Sequence, residues 1–310
     1  MADRSSAEAK APRLPFALVD VFASVPLSGN PLAVVGGGDG LTDEQMQRVA
    51  REFNQAETTF ILSPGRPEAD WRFRSFTAVG VEVGATGHNA LGAWWWLAES
   101  GRLDLVSPSV EFIQEGRASV HSVEIQSDAG APASVALTQA PPTFGRQATA
   151  STRTALAAAL RVEPADIDDA TLPIQVVSTG AAHLMVPIRD RSSIARARPD
   201  MELLTAVLAS LGAEGCYLAS LDPISPKAIA HTRFFNPADG LYEDAATGSA
   251  AGPLACHLRA HGVVADGSTV LIEQGYAVGR PSMMQVTVLG DRVVLSGTCV
   301  TSAEGLLRMA

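Results

Sequence analysis

Two tripeptides of identical sequence, Ala85-Thr86-Gly87 and Ala246-Thr247-Gly248, each run directly into an apolar stretch. A helix that begins straight after a glycine turn presents unpaired backbone N–H groups and the positive end of its dipole, which together make a seat for a carboxylate or phosphate. Side chains able to move protons stand beside both turns. His88 follows Gly87, Ser249 follows Gly248, and Asp244 precedes the second turn. At a helix start an imidazolium is disfavoured, so His88 is expected to be neutral and able both to donate and to accept; it reads equally as a helix cap. Ser249 alone reads as a helix-start hydroxyl, and Asp244 alone as a cap or Asx turn. The remaining candidate is Glu57, which opens the segment ETTFIL after Asn54-Gln55-Ala56. Its neighbours Phe60, Ile61 and Leu62 predict apolar surroundings, where a carboxyl pKa rises and proton exchange near neutral pH becomes feasible. A glutamate at a strand edge is also commonly a solvated residue.

The elements that must position these groups occur twice. RSFTAVGVEVGATGHNALGA from Arg74 is echoed by RFFNPADGLYEDAATGSAAG from Arg233, matching Phe76 with Phe235 and Glu82 with Glu243. Each apolar stretch stops at a glycine, Gly101 or Gly262, and Ile113-Gln114-Glu115-Gly116 is followed by an alternating strand just as Ile272-Glu273-Gln274-Gly275 is. Upstream, FALVDVFA, the helix TDEQMQRVAREF and ETTFIL correspond in order to IQVVSTGAAHLMVPI, MELLTAVLASL and CYLASL. Thr42 and Gln45 form a capping box, and Met46, Val49, Ala50 and Phe53 the apolar face of the first of these helices. Two copies of one α+β unit, with the two ATG helix starts facing across a cleft, are therefore expected. The boundaries read as a leader over 1–14, halves over 15–127 and 151–310, and a linker over 128–150 where Pro, Ala, Gly and Thr dominate. Trp94, Trp95 and Trp96 place bulk on more than one helix face and read as core packing, as does Cys256.

Composition removes several classes of function. With a formal charge of −10 and no Lys/Arg cluster, the chain lacks the cations that nucleic acid requires. No uncharged apolar run reaches membrane-spanning length, and the leader has no signal-like segment. Cys216, Cys256 and Cys299 are widely spaced without a CxxC pair, which suits reduced thiols in the cytoplasm and implies no zinc site.

Taken in order, DVFASVPLSGNPLAVV, NQAETTFIL, RFRSFTAVGVEVGATGHNALGA, VSTGAAHLMVP, RFFNPADGLYEDAATGSAAG and EQGYAVGRPS resemble the PhzF-like (phenazine biosynthesis F) family of the diaminopimelate-epimerase fold group. The resemblance implies an α+β fold of two pseudo-symmetric domains, each a β-barrel-like sheet around a central helix, with the active site between them. It implies a cofactor-independent isomerase of secondary metabolism, active as a homodimer on a small carboxylate-bearing substrate of the dihydro-hydroxyanthranilate type, with no metal, flavin or nicotinamide. Glu57 takes the acid/base role, assisted by His88 and Asp244, and Gly87, Asn89, Gly248 and Ser249 form the substrate-binding set. The epimerase branch uses two opposed cysteines, which are Thr86 and Thr247 here; a hydroxyl is too weak an acid to replace a thiol unaided. Asn89 at a small-residue position, Ala245 where proline is usual and FTA in place of FTP imply an altered pocket. Epimerisation or acid-assisted cyclisation of an amino-acid, peptide or similar intermediate, and a non-catalytic ligand-binding role, are the alternatives.

Overall fold

The computed structural model describes residues 13–117, 120–237 and 241–309. In the first half the strands are β1 (Arg13–Val21), β2 (Asn30–Gly36), β3 (Glu57–Leu62), β4 (Trp71–Thr77), β5 (Glu82–Val83), β6 (Ser109–Glu115), β7 (Val120–Asp128) and β8 (Ala131–Gln139), with helices α1 (Asp43–Phe53) and α2 (His88–Glu99). After β9 (Thr143–Gln147) and α3 (Ala150–Leu160) come β10 (Gln175–Ser178), β11 (Ala182–Pro187), α4 (Arg191–Arg196), α5 (Met201–Leu211), β12 (Gly215–Ser220), β13 (Ala230–Asn236), β14 (Leu241–Asp244), α6 (Gly248–Ala260), β15 (Thr269–Gln274), β16 (Ser282–Leu289), β17 (Arg292–Gly297) and β18 (Cys299–Arg308).

Strand pairing repeats as the sequence does. From β1 to β8 the neighbours β1/β2, β2/β3, β3/β4, β4/β6, β6/β7 and β7/β8 pair antiparallel, parallel, antiparallel, parallel, antiparallel and antiparallel. The series β10/β11, β11/β12, β12/β13, β13/β15, β15/β16 and β16/β17 has the same order. The two sets meet where β8 pairs with β17. Each set wraps a helix. α2 packs against β1, β2, β3, β8 and β18, and α6 against β10, β11, β16 and β17. Both helices end alike: Gly101 and Gly262 adopt φ of 69° and 72°, and the next residue donates back to Leu97 O at 3.0 Å or Leu258 O at 2.9 Å. The Trp triplet of α2 is buried, with the Trp94 indole N–H donating to Gln114 at 2.9 Å.

The segment 128–150 departs from the linker reading. It forms β8, joined to β7 and β17, and β9, which crosses to pair with β10. β18, at the other end of the repeat, crosses in the opposite sense to pair with β1. Each unit thus lends its last strand to its partner. Residues 1–12 of the expected leader lie outside the described residues, and Leu14 is already in β1, opposite Leu307.

Repeat-related ion pairs confirm the correspondence and adjust one register. Arg74 grips Glu82 with two hydrogen bonds of 2.8 Å, and Arg233 grips Glu243 with bonds of 2.8 and 2.7 Å. Arg72 faces Glu115 and His231 faces Glu273, so Glu115 corresponds to Glu273, one position off the match made from the sequence. Both carboxylates accept from two successive amides of a distant turn, Gly65 and Arg66 in one half, Ile224 and Ser225 in the other. Among the described residues no helix is long and apolar enough to cross a membrane, and all three cysteines are buried and unpaired.

Candidate active site

Glu57 enters the cleft as the first residue of β3. The helix α1, started by the Thr42/Gln45 capping box, is stopped at Asn54 with φ 50°, and the chain returns parallel to β2 with Glu57 beside Leu32. α2 begins at His88, whose Nε2 lies 2.9 Å from Glu57 Oε2. That is an ion-pair distance, although the two atoms are not aligned as a hydrogen bond. Burial weighs against the His88 imidazolium, but the charge of Glu57, the polar contact with it and the charge of Asp244 together raise the His88 pKa above its ordinary value. The helix start, which favours a neutral imidazole, is thus opposed by the charges of two nearby carboxylates.

Asp244 arrives from the other half at the end of β14. Asn30 Nδ2 donates to its Oδ1 at 2.8 Å and the Thr247 hydroxyl to its Oδ2 at 2.6 Å, while Gln274 Nε2 donates to Thr247 Oγ1 at 3.1 Å. Burial is the main force on this carboxyl and pushes its pKa to about 6; Glu57 adds to the rise, and His88 and the two donors oppose it. Glu57, His88 and Asp244 therefore form one electrostatic unit, each group's charge acting on the others. They line a cavity of about 770 Å³ together with Gly87, Asn89, Gly248 and Ser249, so all seven residues selected from the sequence meet in one place.

The two helix starts differ. At the first, Asn89 Oδ1 accepts from the Gly87 N–H at 3.1 Å and the Ala90 N–H at 3.0 Å, and its Nδ2 donates to Gly84 O at 2.9 Å. Asn89 is thus occupied in closing its own turn. At the second, the carbonyl of Gly248 accepts from Gln139 at 3.0 Å, while the Gly248 and Ser249 amides have no acceptor among the described residues. Gly248 is held there by packing, since a Cβ would come within 2.4 Å of Leu295 Cδ2.

Five further residues shape the site. Asn30 lies within the segment SGNP, held by Arg280, which donates to Asp20 at 2.6 Å and to the carbonyls of Ser28 and Gly29 at 2.8 Å. His183, on β11, contacts Ser249 Oγ at 3.2 Å through Nε2 and lines the cavity. Gln274 and Thr247 complete the chain to Asp244. Asn30, His183 and Arg280 all fall in segments singled out in the sequence; partners more than two hundred residues distant in the case of Asn30 and Arg280 gave no local signal.

The paired sheets around two central helices, with acid/base groups between them, define the diaminopimelate-epimerase-like fold. A hydroxyproline epimerase from Agrobacterium vitis shares it with a TM-score of 0.67 at 15% identity, over 96% of this chain and 93% of that one. The chain belongs to the phenazine biosynthesis-like family, whose profile matches residues 19–305, and it is an isomerase. It is 34% identical over 298 residues to the trans-2,3-dihydro-3-hydroxyanthranilate isomerase of Pseudomonas chlororaphis, covering 94% of this chain and 98% of that relative. The crystal structure of a Bacillus anthracis PhzF-family protein matches with a TM-score of 0.86 at 27% identity, over 96% of this chain and all of that one (100%).

Proposed function

We propose that this protein is a cofactor-independent isomerase that moves a proton within a small carboxylate-bearing substrate of the dihydro-hydroxyanthranilate type, with Glu57 as the acid/base. The observation that carries the reading is the convergence of Glu57 and His88 from one half with Asp244 from the other in a single cavity. The substrate carboxylate sits at the open start of α6, against the Gly248 and Ser249 amides and the Ser249 hydroxyl. Glu57 takes a proton from a carbon next to the conjugated system, the electron pair moves into that system, and the same carboxyl returns the proton at another carbon; the net charge is unchanged. His88 and Asp244 stabilise the enol or dienol that develops between the two transfers.

A single shuttling carboxylate fits the repeat better than a two-base epimerase does. The register of β12 on β13 makes Gly215 the counterpart of Glu57, as Cys216 faces Phe235 where Thr58 faces Phe76. The reading includes a homodimer working in the cytoplasm, consistent with three buried unpaired thiols. Proton NMR of wild-type protein and Glu57→Gln in deuterated buffer with trans-2,3-dihydro-3-hydroxyanthranilate tests the proposal. Deuterium incorporation accompanied by a moved double bond, lost in the variant, is the expected result. Full turnover by Glu57→Gln, or exchange at one stereocentre without double-bond migration, would overturn it.

A further inference from the structure

His183 is 3% exposed and takes no part in the proton transfers above, yet it forms the wall of the cavity beside Ser249. Its ring meets Phe234 edge-on at 4.9 Å, and burial lowers its pKa to about 4, so the ring is uncharged wherever the enzyme is folded near neutral pH. One nitrogen is committed: Nε2 lies 3.2 Å from Ser249 Oγ. The other, Nδ1, is buried without a hydrogen-bond partner and faces Gly215, where an added Cβ would stand 3.2 Å from it. A neutral imidazole carries its proton on one nitrogen only. With the proton on Nδ1, a donor would be buried against the C–H of Gly215 and the edge of Phe234, and Ser249 would spend its own proton on the ring. With the proton on Nε2, a bare nitrogen faces those C–H groups, and the serine hydroxyl accepts from the ring and keeps its proton for a ligand.

We infer that His183 is a positioning residue: as the Nε2–H tautomer it donates to Ser249 Oγ and turns the serine proton toward the carboxylate of the substrate. The inference rests on the reading that an anionic group sits at the start of α6. It assigns a task to the repeat position that lost its carboxylate, since Gly215, the counterpart of Glu57, is what leaves room for the imidazole; a side chain there would meet Phe234 Cζ at 2.3 Å as well as the ring.

Two measurements on the intact protein test it. Nitrogen-15 NMR of histidine-labelled protein, with the His183 signals identified by their loss in His183→Gln, reads the tautomer directly and needs no ligand. The Nε2–H form across about pH 5 to 8 is expected, and the Nδ1–H form would overturn the inference. Calorimetric binding of 3-hydroxyanthranilate to wild type, His183→Leu, Ser249→Ala and the double variant then measures the coupling. Each single change is expected to weaken binding about tenfold, the double variant to bind no worse than Ser249→Ala, and His183→Gln, which retains a donor near Nε2, to recover part of the loss. Losses that multiply in the double variant would mean that His183 acts only through packing and would overturn the inference. Unimpaired turnover by Glu57→Gln would refute the proposed reaction while leaving the tautomer and the coupling to stand.

Discussion

Replacing Asp244 by asparagine should make the protein more stable at pH 8 while disabling it. In the unfolded chain this carboxyl titrates near 3.8; in the folded protein burial, chiefly, brings it to about 6. Between those values the native state binds more protons than the unfolded one, so stability falls as pH rises through the window, and above it the full cost of a buried carboxylate is present. At about 1.36 kcal/mol per unit, the rise from 3.8 to about 6 amounts to roughly 3 kcal/mol. Asparagine does not titrate, so that cost disappears. Asparagine keeps one acceptor oxygen and replaces the other with a donor NH₂, so it cannot accept from both Asn30 and Thr247, which donate to the two carboxylate oxygens at 2.8 and 2.6 Å, and one lost hydrogen bond costs about 1 kcal/mol. The balance is a gain of about 2 kcal/mol at pH 8 and a loss of about 1 kcal/mol near pH 4. His88 adds in the same direction, because its raised pKa contributes stability below its unfolded value that is lost as pH climbs past the folded one, and part of that rise comes from Asp244. Urea unfolding of both proteins at the two pH values measures the difference. A variant no more stable than wild type at pH 8, or a difference that does not change with pH, would refute the claim that Asp244 is held in the native state against its own ionisation.

Three other variants follow from the geometry. Arg233→Leu strands the Glu243 carboxylate, 5% exposed, and frees the carbonyls of Ile194 and Ala197, for an expected loss of about 3–5 kcal/mol; Arg74→Leu breaks the repeat-related pair with Glu82, 24% exposed, and should cost about 1 kcal/mol. Equal losses in denaturant titrations would show that burial does not separate the two copies. Gly248→Ala drives a methyl to within 2.4 Å of Leu295 Cδ2 and should lower stability by about 1–3 kcal/mol and weaken 3-hydroxyanthranilate binding, since the start of α6 must shift; an unchanged melting temperature would contradict the tight packing there.

The sequence disclosed the architecture because each element carries its own terminal signal: the Thr42/Gln45 box, the stopping glycines Gly101 and Gly262, and the doubled ATG turn are local features that need no tertiary knowledge. Candidate groups beside those turns were legible for the same reason. The exchange of β9 and β18 was not, because strand composition says nothing about which edge a strand will join, and residues 128–150 have the small-residue character of a linker as readily as of a short strand. The pull of Glu57 and Asp244 on His88 was not legible, because their distance from it in space has no trace in the chain. The place of Asn89 at the helix start was legible, but not the bonds by which its amide closes the Gly87 turn, since these depend on the local path of the backbone.

The departures from two-fold symmetry suit duplicated machinery to the proposed one-base reaction. At equivalent places the first half has Glu57 where the second has Gly215, and the second half has Asp244 where the first, two residues before its ATG, has Val83. A symmetric cavity would present the same charges to both faces of a planar substrate, as an enzyme exchanging protons between opposite faces requires. Here Glu57 and His88 come from one half, and from the other come Asp244, whose pKa burial raises, and Ser249 beside the buried His183. Asn89 adds a further asymmetry, since its Oδ1 takes the Gly87 N–H, whereas the equivalent Gly248 N–H has no acceptor among the described residues. A substrate fixed by its carboxylate at α6 would then present one face to Glu57 throughout, so that a proton lifted from one carbon can return only to the same face of another.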